Sequence, residues 1–395
     1  MFEPTLNERR AKVDVPMIAA LAGLIVVGLL FIYSATAASD ATNRYWLRQA
    51  LSYGLGIGAA AVLCLVPYHS LARWSMPVYW VSIGLLLLVW VPGVGVLAGG
   101  AHRWINLGLF RFQPSEFAKL AFILALANFL SRPAEELRMH SVFFKALGLM
   151  ALPFALVFKE PDLGSALVFL PVGLTMMFIG GVPVAYLKRL VGAAVAVVTL
   201  IVLHALFAPP QWQIIEPYQR HRLLVYFHRD FASPDATPAE RQRARELQRD
   251  RAYNVEQALI SVGSGGLTGK GWRQGTQNAL GYLPRGVAHN DFIFSVIAEE
   301  SGFVGSVLIL GLYTVVCFAG LRIAGQARDR LGTLLAAGVV TLLFSHVFIN
   351  IGMNIRLMPV TGLPLPLLSY GGTSVVCSLI AAGLVQNVYL YRRAY

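Results

Sequence analysis

The stretch Val15-Pro16-Met17-Ile18-Ala19-Ala20-Leu21-Ala22-Gly23-Leu24-Ile25-Val26-Val27-Gly28-Leu29-Leu30-Phe31-Ile32-Tyr33 contains no charged side chain and no Ser, Thr, Asn or Gln. Wound as an α-helix at ~1.5 Å per residue, it is about 28 Å long, close to the ~30 Å hydrocarbon core of a bilayer. Arg9-Arg10-Ala11-Lys12 precedes it and Ala35-Thr36-Ala37 follows, an arrangement that resembles a secretory leader. The run exceeds the roughly 7–15 residues of a leader core, so it reads as a retained first membrane helix.

Outward from this segment the pattern repeats. Apolar spans are expected at 15–36, 46–66, 76–96, 115–130, 143–158, 162–180, 187–207, 292–321, 331–355 and 369–391. The composition agrees: 56% of residues are hydrophobic and 13% charged, against about 25% charged in soluble domains. The fold class is therefore all-α, a polytopic membrane protein of about ten transmembrane helices. Residues 1–395 form a single membrane domain, with one long extracytoplasmic loop, 208–290, between helices 7 and 8.

The net charge of +12 sits largely in short loops. With a cytoplasmic N-terminus, the inside segments hold Arg9, Arg10, Lys12, Arg73, Arg132, Arg138, Lys188, Arg189, Arg322, Arg328, Arg330, Arg392 and Arg393. The outside short loops hold Arg44, Arg103, Arg111 and Lys159. This asymmetry places both termini in the cytoplasm. The 208–290 loop has eleven Lys/Arg and seven Asp/Glu, but segments this long are exempt from the charge rule. Within it, Thr237-Pro238 with Glu240 forms a capping-box start for a short surface helix whose charges face solvent. No nucleic-acid motif accompanies the basic charge, so a nucleic-acid partner is excluded. Cys64, Cys317 and Cys377 lie in apolar runs without C-x-x-C spacing or a neighbouring His, and read as packing residues.

Four polar clusters interrupt this pattern. Arg103-Trp104-Ile105 through Gln113-Pro114-Ser115-Glu116 is an interfacial stretch leading into a helix, and Glu116 and Lys119 share one face of that helix. They form either a structural ion pair at the helix entrance or part of a site. In Lys159-Glu160-Pro161-Asp162-Leu163-Gly164, Asp162 either N-caps the next helix or joins the site. Gly263-Ser264-Gly265-Gly266-Leu267-Thr268-Gly269-Lys270-Gly271 fails the nucleotide P-loop pattern at Ser264 and Gly271. It is either a flexible turn or a set of amides presented to a pyrophosphate. After it, Asp291 stands at the start of the eighth helix, as an N-cap or as a functional carboxylate, and Glu299-Glu300 lie within the apolar run, where carboxylates usually line a cavity. The fourth cluster runs from Asn350 through Pro359-Val360-Thr361-Gly362-Leu363-Pro364-Leu365-Pro366 to Ser369-Tyr370-Gly371-Gly372-Thr373-Ser374. It is too rich in Gly and Pro for an ordinary helix link and reads as a rigid loop closing over a groove. The clusters reach one face of the membrane, which suits a substrate with a lipid tail and a polar head.

In these motifs, taken in order over nearly the whole chain, the sequence resembles the SEDS family (shape, elongation, division and sporulation), and its elongation branch more than its division branch. Tyr218-Gln219-Arg220-His221-Arg222, Tyr253-Asn254-Val255-Glu256-Gln257 and Gly275-Thr276-Gln277 add to the match. The resemblance implies a peptidoglycan glycosyltransferase of the cytoplasmic (inner) membrane of bacteria. It would polymerise lipid II, partnered by a class B penicillin-binding transpeptidase and the elongation machinery. Asp291 matches the family's essential aspartate, and Glu116 with Lys119 its helix-entrance pair. The chain departs from the family pattern at Leu283-Pro284-Arg285, where Arg stands for Glu, at Asn290 for Thr, Ala258 for Ser and Arg356 for Gly, and in an Arg-rich insertion near 237–251.

Such a polymerase inverts an α-linked donor in one displacement, so one base suffices, and Asp291 is its candidate. The lipid-pyrophosphate leaving group needs positive charge. Arg103, Lys119, Arg222 and Lys270 are placed to supply it, and Glu116, Asp162 and Ser369 complete the substrate-binding set. A divalent cation such as Mg²⁺ is an alternative source of charge, and no protein metal ligands are assigned. Two competing functions are a lipid II flippase, which rests on Glu299-Glu300, and a non-catalytic scaffold for the transpeptidase.

Overall fold

The structure is a computed structural model, and it describes residues 13–37, 44–98, 101–106, 111–160, 162–207, 217–227, 229, 231, 237–283 and 288–393. The helices α1 (Val15–Ala37), α2 (Tyr45–Cys64), α3 (Tyr68–Arg73) and α4 (Ser75–Leu88) come first. A small antiparallel sheet, β1 (Gly95–Ala98), β2 (Ala101–Asn106) and β3 (Arg111–Phe112), leads to α5 (Pro114–Leu130), α6 (Ala134–Leu137), α7 (His140–Lys159), α8 (Leu163–Gly180) and α9 (Val184–Phe207). The 208–290 segment contributes α10 (Pro217–Tyr226), α11 (Pro238–Ser264) and α12 (Thr276–Ala279). The chain closes with α13 (Ile293–Gln326), α14 (Arg330–Asn354) and α15 (Gly372–Leu390).

Eight of these helices are long and apolar enough to cross a bilayer. The other two expected spans are the shorter helices α4 and α5, of 14 and 17 residues. The third span was expected to reach residue 96 but stops at Leu88, because Pro92-Gly93 follows and Gly93 takes a left-handed φ of 89°. The interfacial stretch around Arg103 is a hairpin: Ile105 pairs with Gly95 on one side and Phe112 on the other.

Packing follows membrane rules, with small residues where helices approach closely. A Cβ on Gly338 of α14 would lie 2.8 Å from Met176 and 2.9 Å from Ile123, so α14 sits tightly against α8 and α5. Most of α14 is buried and forms the centre of the bundle, whereas α9 is almost entirely exposed. The polar anchors lie at helix ends. Asp14 is buried, accepts from Met17 N at 3.1 Å, is capped by Gln386 and pairs with Arg322.

The helix expected after Thr237 does start at Pro238, but it runs 27 residues rather than a few turns. Its first half is exposed, while Val255, Ala258 and Ser261 are buried. The eighth span is broken at Gly302 (φ 67°, ψ −163°) into half-helices 293–301 and 303–326.

Candidate active site

The site is built where the N-terminal ends of α5, α8, α13 and α15 meet. Gln113, just before α5, donates through Nε2 to Asp162 Oδ2 at 3.1 Å. Asp162 also N-caps α8, accepting from Ser165 N at 3.1 Å, as the capping reading of this residue has it. Thr373, in the first turn of α15, donates to Arg111 O at 3.0 Å and accepts from Gln113 N at 3.2 Å. At Gly164, in the first turn of α8, a Cβ would lie 3.0 Å from Thr361 O, so α8 abuts the 361–363 segment. Next in that segment, Gly362 (φ 77°) faces Asp291: a Cβ there would lie 3.6 Å from Oδ2. The left-handed φ favours glycine at this position.

Asp291 is half-buried, and its backbone is gripped from two sides. From α14, Asn350 Nδ2 and Asn354 Nδ2 donate to Asp291 O at 3.2 and 3.1 Å. Asn354 is fully buried, and Ser295 Oγ orients its amide by donating to Oδ1 at 2.7 Å. From the 355–371 loop, Ser369 Oγ donates to Asn290 O at 2.5 Å and Tyr370 N to His289 O at 2.9 Å. That loop is itself fixed by Gln49, Tyr53 and Tyr313, which bond Ser369 O, Leu367 O and Pro366 O. The N-cap position of α13 is Phe292, one residue after Asp291. His289 packs against the rings of Tyr45 and Tyr370, and its burial pushes its pKa down to about 4, so it is neutral at pH 7.

The other sequence candidates fall in different places. Glu116 and Lys119 are buried in the bundle, with Lys119 Nζ 2.7 Å from Glu116 Oε1 and 2.8 Å from His346 Nε2. Ser369 is spent on backbone, accepting from Leu365 N at 2.8 Å besides its bond to Asn290. Arg222 lies in α10, and its side chain is outside the described residues, as is Arg285 altogether. Arg356 stands at φ 59°, the left-handed conformation that explains why glycine suits this position.

The glycine-rich turn does not cradle an anion with the amides of 269–271. Lys270 N and Gly271 N donate to Glu299 O and Glu300 O, each at 3.0 Å, and Gly269 N to Gly265 O at 2.9 Å. Beyond the break, Phe303 N and Val304 N donate to Gly266 O and Leu267 O. The turn thus satisfies both orphaned ends of the broken helix. Lys270 Nζ sits 2.6 Å from Glu299 Oε1, so its charge is already matched. Glu299 and Glu300 are bonded within the protein: Thr276 and Gln277 N donate to Glu299, and Ser34 and Arg273 N to Glu300.

Sequence reasoning passed over Glu160. It is buried, and among the described residues neither carboxylate oxygen has a hydrogen-bond partner. Burial, reinforced by Asp162 and opposed by Arg103, pushes its pKa up to about 8. Arg103 Nε is likewise buried without a partner among the described residues. The signal available in sequence was two acids bracketing Pro161 at a helix junction. Among the described residues, no three or more His, Cys, Asp or Glu side chains converge as a metal cage.

A family model described as cell cycle protein (FtsW, RodA, SpoVE) matches residues 15–394. The chain belongs to the SEDS family. It is 34% identical over 385 residues to the peptidoglycan glycosyltransferase MrdB of Escherichia coli (strain K12), covering 97% of this chain and 95% of that one. It is 31% identical to the peptidoglycan glycosyltransferase RodA of Treponema pallidum, over 95% of this chain and 97% of the relative. A solved chain from a peptidoglycan synthase complex that coordinates polymerization and crosslinking superposes with a TM-score of 0.76 at 29% identity, covering 97% and 99% of the two chains. The rod shape determining protein RodA of Thermus thermophilus gives 0.67, also at 29% identity, covering 97% and 98%.

Proposed function

We propose that this SEDS protein is a peptidoglycan glycosyltransferase that polymerises lipid II in the bacterial cytoplasmic membrane during elongation, with Asp291 as its general base. The observation that carries the reading is the Asp291 turn, in a chain collinear over 97% of its length with a peptidoglycan glycosyltransferase. The carboxylate faces Gly362 while its backbone is fixed by two other elements. A backbone fixed by two elements holds the carboxylate in one place for proton abstraction from an acceptor hydroxyl. Four helix N-termini meet there, and their partial positive charge favours the pyrophosphate leaving group. Arg103 and Arg222 are the remaining cationic candidates, since Lys119 and Lys270 are engaged by carboxylates. Asp162 and Ser369 act by holding the site's elements together, and Glu116–Lys119 by fixing α5 against α14. Mg²⁺, if used, would be held by one or two carboxylates and the substrate phosphates, in the way this ion is usually bound.

The flippase reading rested on Glu299-Glu300, and the bonds to those carboxylates remove its support. The partner is a class B penicillin-binding transpeptidase, a reading supported by the related chain's place in a polymerization and crosslinking complex. The test is polymerisation of labelled lipid II by the purified chain with that transpeptidase. Glycan strands are expected from wild type and none from Asp291→Asn, which preserves shape. Strands from the variant at the wild-type rate would refute the base assignment, and none from wild type would leave the chain a scaffold.

All ten spans cross, with both termini cytoplasmic and 208–290 outside. In a background lacking Cys64, Cys317 and Cys377, a cysteine at exposed Ala239 is expected to label with an impermeant thiol reagent from outside, and one at exposed Met139 is not. Outside labelling at Met139 would invert the topology.

A further inference from the structure

Away from the candidate site, α4, α5 and α7 enclose a groove of about 320 Å³. Its α7 wall is the i, i+3, i+4, i+7 stripe Lys145, Gly148, Leu149 and Leu152, and Tyr79 and Trp80 of α4 stand opposite. Tyr79 is the floor: it is buried, and its hydroxyl donates to Leu149 O at 2.9 Å, tying the two walls together. Gly148 leaves the middle open, since a Cβ there meets nothing within 4 Å.

One feature of the wall is not apolar. Lys145 is exposed at the groove and makes no ion pair among the described residues. Neither α4 nor α7 contains an acidic residue, Glu116 of α5 pairs with Lys119, and of the two acids of the nearby α6, Glu136 pairs with Arg132 at 3.2 Å and Glu135 makes no ion pair among the described residues. The anion that meets Lys145 therefore comes from outside these walls. Lys145 is five residues inside the start of α7, about 7.5 Å along the axis. A lysine at that depth extends its ammonium toward the headgroup layer while its methylenes stay in the apolar wall. Leu152 lies about 10 Å deeper, so the groove runs from headgroup level into the hydrocarbon.

We propose that this groove holds one anionic phospholipid, with its phosphate on Lys145 and an acyl chain lying over Gly148 against Tyr79, Trp80 and Leu152. Charge complementarity decides the occupant: a zwitterionic lipid brings its own cation next to Lys145, and a basic pocket between membrane helices selects an anionic headgroup. On the charge-based topology this is the cytoplasmic leaflet.

The full chain, purified in mild detergent and offered an equimolar mixture of phosphatidylglycerol and phosphatidylcholine, is expected to retain one phosphatidylglycerol in native mass spectra. Lys145→Gln, which removes the charge, and Gly148→Leu, which fills the open middle, are each expected to retain at least about fivefold less. Lys145→Arg is expected to retain it. Lys159→Gln, whose cation lies over Trp90 at the far end of α7, is the control and should match wild type. Equal phosphatidylglycerol retention across all variants, or equal retention of the two lipids by wild type, would overturn the proposal. Because the readout is bound lipid, it stands apart from whether Asp291 is the base.

Discussion

The half-helix 293–301 meets acidic residues at both ends. At its start, contacts from α14 and the 355–371 loop hold the Asp291 backbone, and the carboxylate faces a glycine. At its end, Glu299 and Glu300 are buried, and their oxygens accept from Lys270, Thr276, Gln277 N, Ser34 and Arg273 N. In one place the protein invests hydrogen bonds in the main chain that carries the acid. In the other it invests them in the acids themselves, and those acids then bind a surface turn to a broken helix. All three are carboxylates near the ends of one half-helix, and the groups packed around them differ.

Substitutions at the two ends should therefore separate. Asp291→Asn has the largest expected effect, a loss of about 10²–10⁴ in polymerisation with an unchanged thermal midpoint. A lowered midpoint with proportionate activity would return Asp291 to a structural role. At the other end, Lys270→Ala leaves Glu299 buried and short of its cation. It is expected to cost about 3 kcal/mol, the lower end for a broken buried pair because Lys270 is partly exposed. Thermal unfolding reads this, while the turnover of the protein that remains folded stays near wild type. Selective loss of turnover would place Lys270 in the chemistry after all.

Asn354→Leu tests the backbone grip. It removes the amide that bonds Asp291 O and Asn350 O while keeping the branched side-chain shape. The expected result is about a tenfold fall in kcat with KM little changed, because orientation and not binding is lost. A rise in KM alone would show that the amide serves substrate binding.

The smallest effect concerns Glu160. Its folded-state pKa of about 8 lies above the ordinary value of 4.5, so ionisation opposes folding. No penalty exists below that ordinary value, the penalty grows as pH rises toward 8, and it is constant above. Glu160→Gln should therefore match wild type near pH 4.5 and gain ~3 °C or more in thermal midpoint at pH 8.5. A pH-independent difference would mean that Glu160 has a partner in the membrane-embedded protein.

Much of this protein is legible in one dimension. A run such as Val15–Tyr33 admits no soluble fold, because a helix satisfies every backbone group internally and its side chains need no water. Asp162 as a cap, Pro238 as a helix start and the grouping of polar motifs at helix entrances follow from local chemistry, as does the family resemblance. The sequence left three things open: whether Gly263–Gly271 holds an anion or a helix end, whether Glu299-Glu300 lines a path, and what fixes Asp291. Each depends on partners far away in the chain, such as Ser34 for Glu300, 266 residues apart, and Asn354 for Asp291, 63 apart. A buried polar group in a membrane protein must find such partners, and which ones it finds is decided by helix packing, not by the residues beside it.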